Sequence, residues 1–138
     1  MGVVLDSTVF IGGERRSLSV VETLGHARKV LGDAEVVLSS MSAMELLHGI
    51  WRAPTPAARA HREELVEEVF ARVPVRPVSL KTARIAGEVD AKARAKGITI
   101  PTADLLIGAT ALELGFGVAT ANVRHFRLIP RLRVRLFD

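Results

Sequence analysis

Thr102-Ala103-Asp104-Leu105-Leu106-Ile107-Gly108-Ala109-Thr110-Ala111-Leu112-Glu113-Leu114, followed after Gly115-Phe116 by Gly117-Val118-Ala119-Thr120, is the stretch whose reading decides the fold. Thr102 is an N-cap residue type and Gly115 a helix stop, so a helix is predicted over 103–114. Its residues are apolar nearly all round instead of along one stripe, which marks a central, buried helix. The run that follows reads as a strand over 117–120.

The rest of the 138-residue chain repeats this alternation. Val3-Val4-Leu5 predicts a buried strand ended by Asp6-Ser7-Thr8, and Gly12-Gly13 reads as a loop. Ser19 with Glu22 has the spacing of a capping box, opening a helix to about Leu31 that Gly32-Asp33 closes. Glu35-Val36-Val37-Leu38 is a second strand, and Ala43–Trp51 a helix. Pro54 and Pro56 interrupt the chain before an amphipathic helix over 57–72, with Leu65, Val66, Val69 and Phe70 inward. Pro74 and Pro77 confine Val75-Arg76 to an edge strand. Ser79 caps a helix to Lys96, stopped by Gly97, and Arg133–Phe137 forms the last strand. Strands alternating with helices predict one domain over 1–138, a three-layer α/β/α sandwich with a mostly parallel central sheet.

Bulk composition narrows the chemistry. There is no cysteine, so thiolate metal sites and disulfides are excluded, and a reducing, cytoplasmic setting is expected. No basic region precedes the first apolar residues, so no secretory leader is read, and no apolar run reaches membrane length. The formal charge of +4 suits a polyanionic partner, although an arginine-rich, alanine-rich composition accounts for it as well.

In an open parallel sheet, ligands bind beyond the carboxyl ends of the strands. Asp6 follows the first strand, Asn122 follows Thr120, and Glu45 and Asp104 lie in early helical turns facing the same edge. Each has a plainer reading: Asp6 as a turn residue, Glu45 as the far half of a capping box with Ser42, Asp104 as a carboxylate favoured by the helix dipole. Together they form an oxygen-only cluster whose mutual repulsion a cation would relieve, which points to Mg²⁺, with Mn²⁺ as a substitute. Such a site hydrolyses phosphodiesters through a metal-activated water without any side-chain nucleophile. Ser7, Thr8 and Thr120 stand beside these acids, where they could hydrogen-bond metal waters or orient the carboxylates, although each alone reads more simply as a strand-end turn residue. Arg124 and Arg127 are placed to clamp RNA phosphates, whereas Arg131, Arg133 and Arg135 read as the solvent face of an edge strand. His125 and His48 read as surface or packing residues, and Trp51 and Phe70 as core or dimer interface.

Four segments resemble the PIN-domain nucleases, and specifically VapC-type toxins: Val3–Ile11 around Asp6, Leu38–Gly49 around Glu45, Gly97–Ala111 around Asp104, and Thr120-Ala121-Asn122-Val123-Arg124-His125-Phe126. The resemblance implies that Asp6, Glu45, Asp104 and Asn122 are catalytic and that the acids bind the metal, Asp6 and Asp104 foremost. It also implies an endoribonuclease toxin, a homodimer, and a cognate antitoxin that blocks the site. Many members of the family carry a fourth acid where Asn122 stands. A neutral amide binds a cation less strongly, which favours one tightly held Mg²⁺ over two. An aspartyl-nucleophile phosphatase fits less well, since Thr8 stands where its second acid belongs. A non-catalytic RNA-binding module is the other alternative.

Overall fold

In the computed structural model, which describes residues 2–138, three strands buried on both faces form the centre of the sheet. They are β1 (Gly2–Leu5), β2 (Glu35–Ser39) and β4 (Gly117–Thr120). Two short edge strands flank them, β3 (Val75–Arg76) and β5 (Val134–Leu136), in the order β3-β2-β1-β4-β5. Every pairing is parallel, with Val4 opposite Val37 and Val118.

Alternate strand residues point to opposite faces, and the core divides accordingly. Leu5, Leu38 and Ala119 pack on one side with α1 (Ser7–Arg15), α2 (Val20–Leu31), α3 (Ser40–Trp51) and α4 (Pro56–Arg72). Val4, Val37 and Val118 pack on the other with α5 (Leu80–Ala95), α6 (Thr102–Leu114) and a 3₁₀ turn at Phe126–Leu128. The three-layer sandwich is therefore present, and its sheet is parallel throughout. No helix among the described residues is long and apolar enough to cross a membrane.

Several local expectations are corrected. Gly12 and Gly13 are not a loop but lie inside α1. Gly13 serves packing there: a Cβ on it would stand 2.3 Å from Thr23 Oγ1 of α2, so only glycine lets the two helices come this close. The box at Ser19 and Glu22 forms as expected. The one at Ser42 and Glu45 does not, because α3 starts three residues earlier, with Ser39 accepting from the Met41 amide. Ser42 is buried inside the first turn and its hydroxyl has no partner among the described residues. Thr102 is the first residue of α6, not its cap; Pro101 holds the cap position. Leu65 and Phe70 are only partly buried, while Val66 and Val69 are core.

Candidate active site

The chain leaves β1 at Asp6, whose amide donates to Ala119 O at 2.9 Å and extends the pairing with β4 by one step. Asp6 holds the N-cap position of α1, yet its side chain caps nothing, which removes the turn-residue reading. Instead its Oδ2 accepts two hydroxyl hydrogen bonds, from Thr8 and Thr120, both at 2.8 Å. Each hydroxyl has one proton, already committed to the carboxylate, so each accepts from a backbone N–H: Thr8 from Ala121 and Thr120 from Asn122, both at 3.0 Å. Asp6 is thereby tied to the turn after β4, and it is only 4% exposed.

Glu45 reaches the same edge from the second turn of α3, where Ser7 Oγ donates to its Oε1 at 3.1 Å. Burial lifts its carboxyl above the ordinary glutamate range. The charge of Asp6 and, more weakly, that of Asp104 add to this, against the Ser7 hydrogen bond. Asp104, in the first turn of α6, is raised too, first by burial, with His125 opposing and Asp6 assisting. The three acids thus feel one another electrostatically although nothing in the chain order links them.

His125 is the residue that sequence reasoning undervalued. Its Nδ1 lies 2.9 Å from Asp104 Oδ2, so toward an ionised carboxylate it is the donor. The 3₁₀ turn that delivers it has no periodic signature; proximity to Asn122 was the only available signal. Asn122 itself contributes its backbone to the Thr120 hydroxyl, and its side chain is exposed. Arg124 and Arg127 are exposed on the same turn. Among the described residues they make no ion pair, which leaves them available to an anion. His48 is exposed on α3, away from any described partner, and Trp51 is 69% exposed, so it belongs to the surface and not the core.

The oxygen set fits a hard divalent cation. Asp6 commits only Oδ2, Glu45 only Oε1 and Asp104 only Oδ2 to partners among the described residues. Each carboxylate keeps its second oxygen without a protein donor. No three acidic or histidine side chains there stand close enough to form a complete cage. Mg²⁺ does not need one, since it usually keeps several waters and takes one or two carboxylates directly.

The model of the PIN domain family matches residues 3–132. The chain belongs to the PIN-domain family. Ribonuclease VapC10 of Mycobacterium tuberculosis is 31% identical over 131 residues, covering 95% of this chain and 90% of the relative. The fold is also that of the crystal structure of VapBC2 from Rickettsia felis bound to a DNA fragment from their promoter, with a TM-score of 0.85 at 20% identity and complete coverage of both chains. VapBC-5 of M. tuberculosis, a member of the VapBC family of toxin-antitoxin systems, superposes with a TM-score of 0.74 at 24% identity, over 99% and 98% of the two chains.

Proposed function

We propose that this PIN-domain protein is a Mg²⁺-dependent endoribonuclease acting in the cytoplasm as the toxin of a toxin–antitoxin pair. The observation that carries the reading is the trio of carboxylates at one edge of the sheet, each with one oxygen hydrogen-bonded to a side chain and the other without a donor among the described residues. When bound, the cation supplies charge neutralisation for the phosphodiester and acidifies water. Asp6 and Asp104 would hold it, the first locked by Thr8 and Thr120, the second steadied by His125. Glu45, whose proton affinity is raised, takes up the proton of the attacking water, and Ser7 orients it. Arg124 and Arg127 fix the RNA backbone, and the Asn122 amide stands in for a fourth acid.

An antitoxin neutralises such a site by covering it. A groove of about 380 Å³ between α1, α3 and α4 opens beside Glu45, with Phe10, Ile11, Leu46 and Leu65 next to Arg15, Arg52 and Arg62, and suits a partner segment carrying both apolar and acidic residues. Met44, Leu47 and Trp51 form an exposed stripe at helical spacing on α3, which supports the homodimer.

The test is cleavage of total bacterial RNA by purified protein with Mg²⁺, with EDTA, and with Asp6→Asn. Cleavage that requires both the metal and Asp6 is the expected result. Cleavage that survives EDTA or Asp6→Asn would sink the mechanism, and absence of both cleavage and Mg²⁺ binding would leave a non-catalytic RNA-binding module.

A further inference from the structure

A second cleft, of about 420 Å³, lies between the C-terminal half of α5 and the segment after the 3₁₀ turn. That volume is within the range of ligand clefts, roughly 300–1,000 Å³. Val89, Ile98, Leu128 and Pro130 line it with apolar surface, and Lys96 and Arg131 are among its charged walls. Glu88, the one acid there, is already paired with Lys92 at 3.2 Å. Lys96 and Arg131 have no ion-pair partner among the described residues, so the cleft carries uncompensated positive charge over an apolar lining.

Two chain segments connect this cleft to the acids. From His125, on Asp104, the 3₁₀ turn reaches Leu128 in three residues, about 6 Å at a rise of about 2 Å each. From Asp104 the chain runs back through Pro101 and Ile100 to Ile98. The two routes begin at one hydrogen bond and end on the walls of one cavity. Arg131 itself sits at φ +65°, a left-handed backbone that a long side chain rarely adopts. Non-glycine residues in that region persist where the surroundings over-determine them, often at ligand sites.

We propose that this cleft is an accessory RNA subsite, which receives a nucleotide flanking the scissile bond. The base lies on the apolar lining and the adjoining phosphates meet Lys96 and Arg131. The inference rests on the ribonuclease reading and extends it from the cutting site to substrate length. Single-stranded RNA suits such a site, because an unstacked base can be splayed onto apolar surface while cations track the backbone.

The experiment is fluorescence anisotropy with 5′-labelled oligouridylates of 20 and 2 nucleotides, in EDTA so that nothing is cut. Arg131→Gly and Lys96→Ala are each expected to weaken binding of the 20-mer about fivefold at low salt. Each should also flatten the salt slope by about 0.7, the share of one phosphate on a single strand. The 2-mer, too short to fill the cutting site and the flanking subsite together, should change less than about twofold. Glycine is at ease at φ +65°, so Arg131→Gly should keep or raise Tm, which separates lost charge from lost fold. Arg131→Lys and Lys96→Arg should restore affinity. Unchanged 20-mer affinity and slope, or an equal loss on both lengths, would overturn the subsite. Wild-type protein that cuts RNA while both variants bind normally refutes this inference alone; wild-type protein that neither binds nor cuts takes the nuclease reading with it.

Discussion

Asp6 and Asp104 stand at one edge of one sheet, yet the protein holds them differently. Asp6 is almost fully buried, and two threonine hydroxyls converge on one of its oxygens, each braced by a backbone amide. Asp104 has a single side-chain partner, His125, on an irregular turn, and its side chain is 23% exposed. One acid follows a paired strand and is clamped from the next one; the other starts a helix and is steadied by a single residue of a loop. Rigid placement favours a direct metal ligand, because moving the carboxylate would break both threonine hydrogen bonds at once; an acid steadied by a single loop residue adjusts more easily.

The largest effect expected is from Asp6→Asn. Loss of a metal ligand forfeits several kcal/mol of transition-state stabilisation, about 10³-fold in single-turnover cleavage. An activity within about tenfold of wild type would show that Asp6 does not bind the ion. Next comes Thr120→Val, which removes one donor from Asp6 and the acceptor of the Asn122 amide while keeping the shape. Metal affinity, measured by titration calorimetry, should fall about 10–100-fold, the usual cost of losing support behind a ligand. His125→Ala should cost less, about threefold to tenfold, because the loop-held acid tolerates loss of its partner. If His125→Ala proved the more damaging of the two, the contrast between rigid and adjustable acids would be inverted.

The smallest effect concerns stability. Folding raises the carboxyl pKa of Glu45 above 4.5 and that of Asp104 above 3.8. A raised acid favours the protonated folded state, so its stabilising contribution is full below the unfolded-state value and lost as pH rises through the folded one. In EDTA at pH 7–8, Glu45→Gln should therefore raise Tm by a few degrees. The gain should vanish below about pH 4, where the wild-type carboxyl is protonated as well, and should shrink when Mg²⁺ is restored. A Tm gain independent of pH would mean that charge repulsion is not its cause.

How much of this was legible in the residues follows from what kind of signal each feature leaves. The strands, the parallel sheet and the edge where Asp6, Glu45 and Asp104 meet follow from apolar runs and chain order, which are local patterns. Helix α1 was hidden because Gly12-Gly13 has the composition of a loop; the reason for Gly13 is Thr23, ten residues on, and propensity does not report that contact. The start of α3 was misplaced because Ser39, Ser40 and Ser42 are all suitable caps, and strand β2 running straight into the helix selects the first. The Thr8 and Thr120 clamp spans 112 residues, and residue types suggested it only as one use of hydroxyls near acids. His125 reaches Asp104 through a turn without periodicity, so its role came from the fold alone.

The central position of β1 has a consequence for how the protein comes into being. Asp6 is made well before the Thr120 hydroxyl that fastens it, which lies 114 residues later in the chain. At about 5–20 residues per second, the carboxylate waits on the order of ten seconds for its clamp. Until β4 emerges and pairs with β1, β1 lacks one of its two neighbours, and the acids have no common edge. A growing chain therefore carries this site in pieces: Asp6 gains its clamp only once the segment bearing Thr120 has been translated.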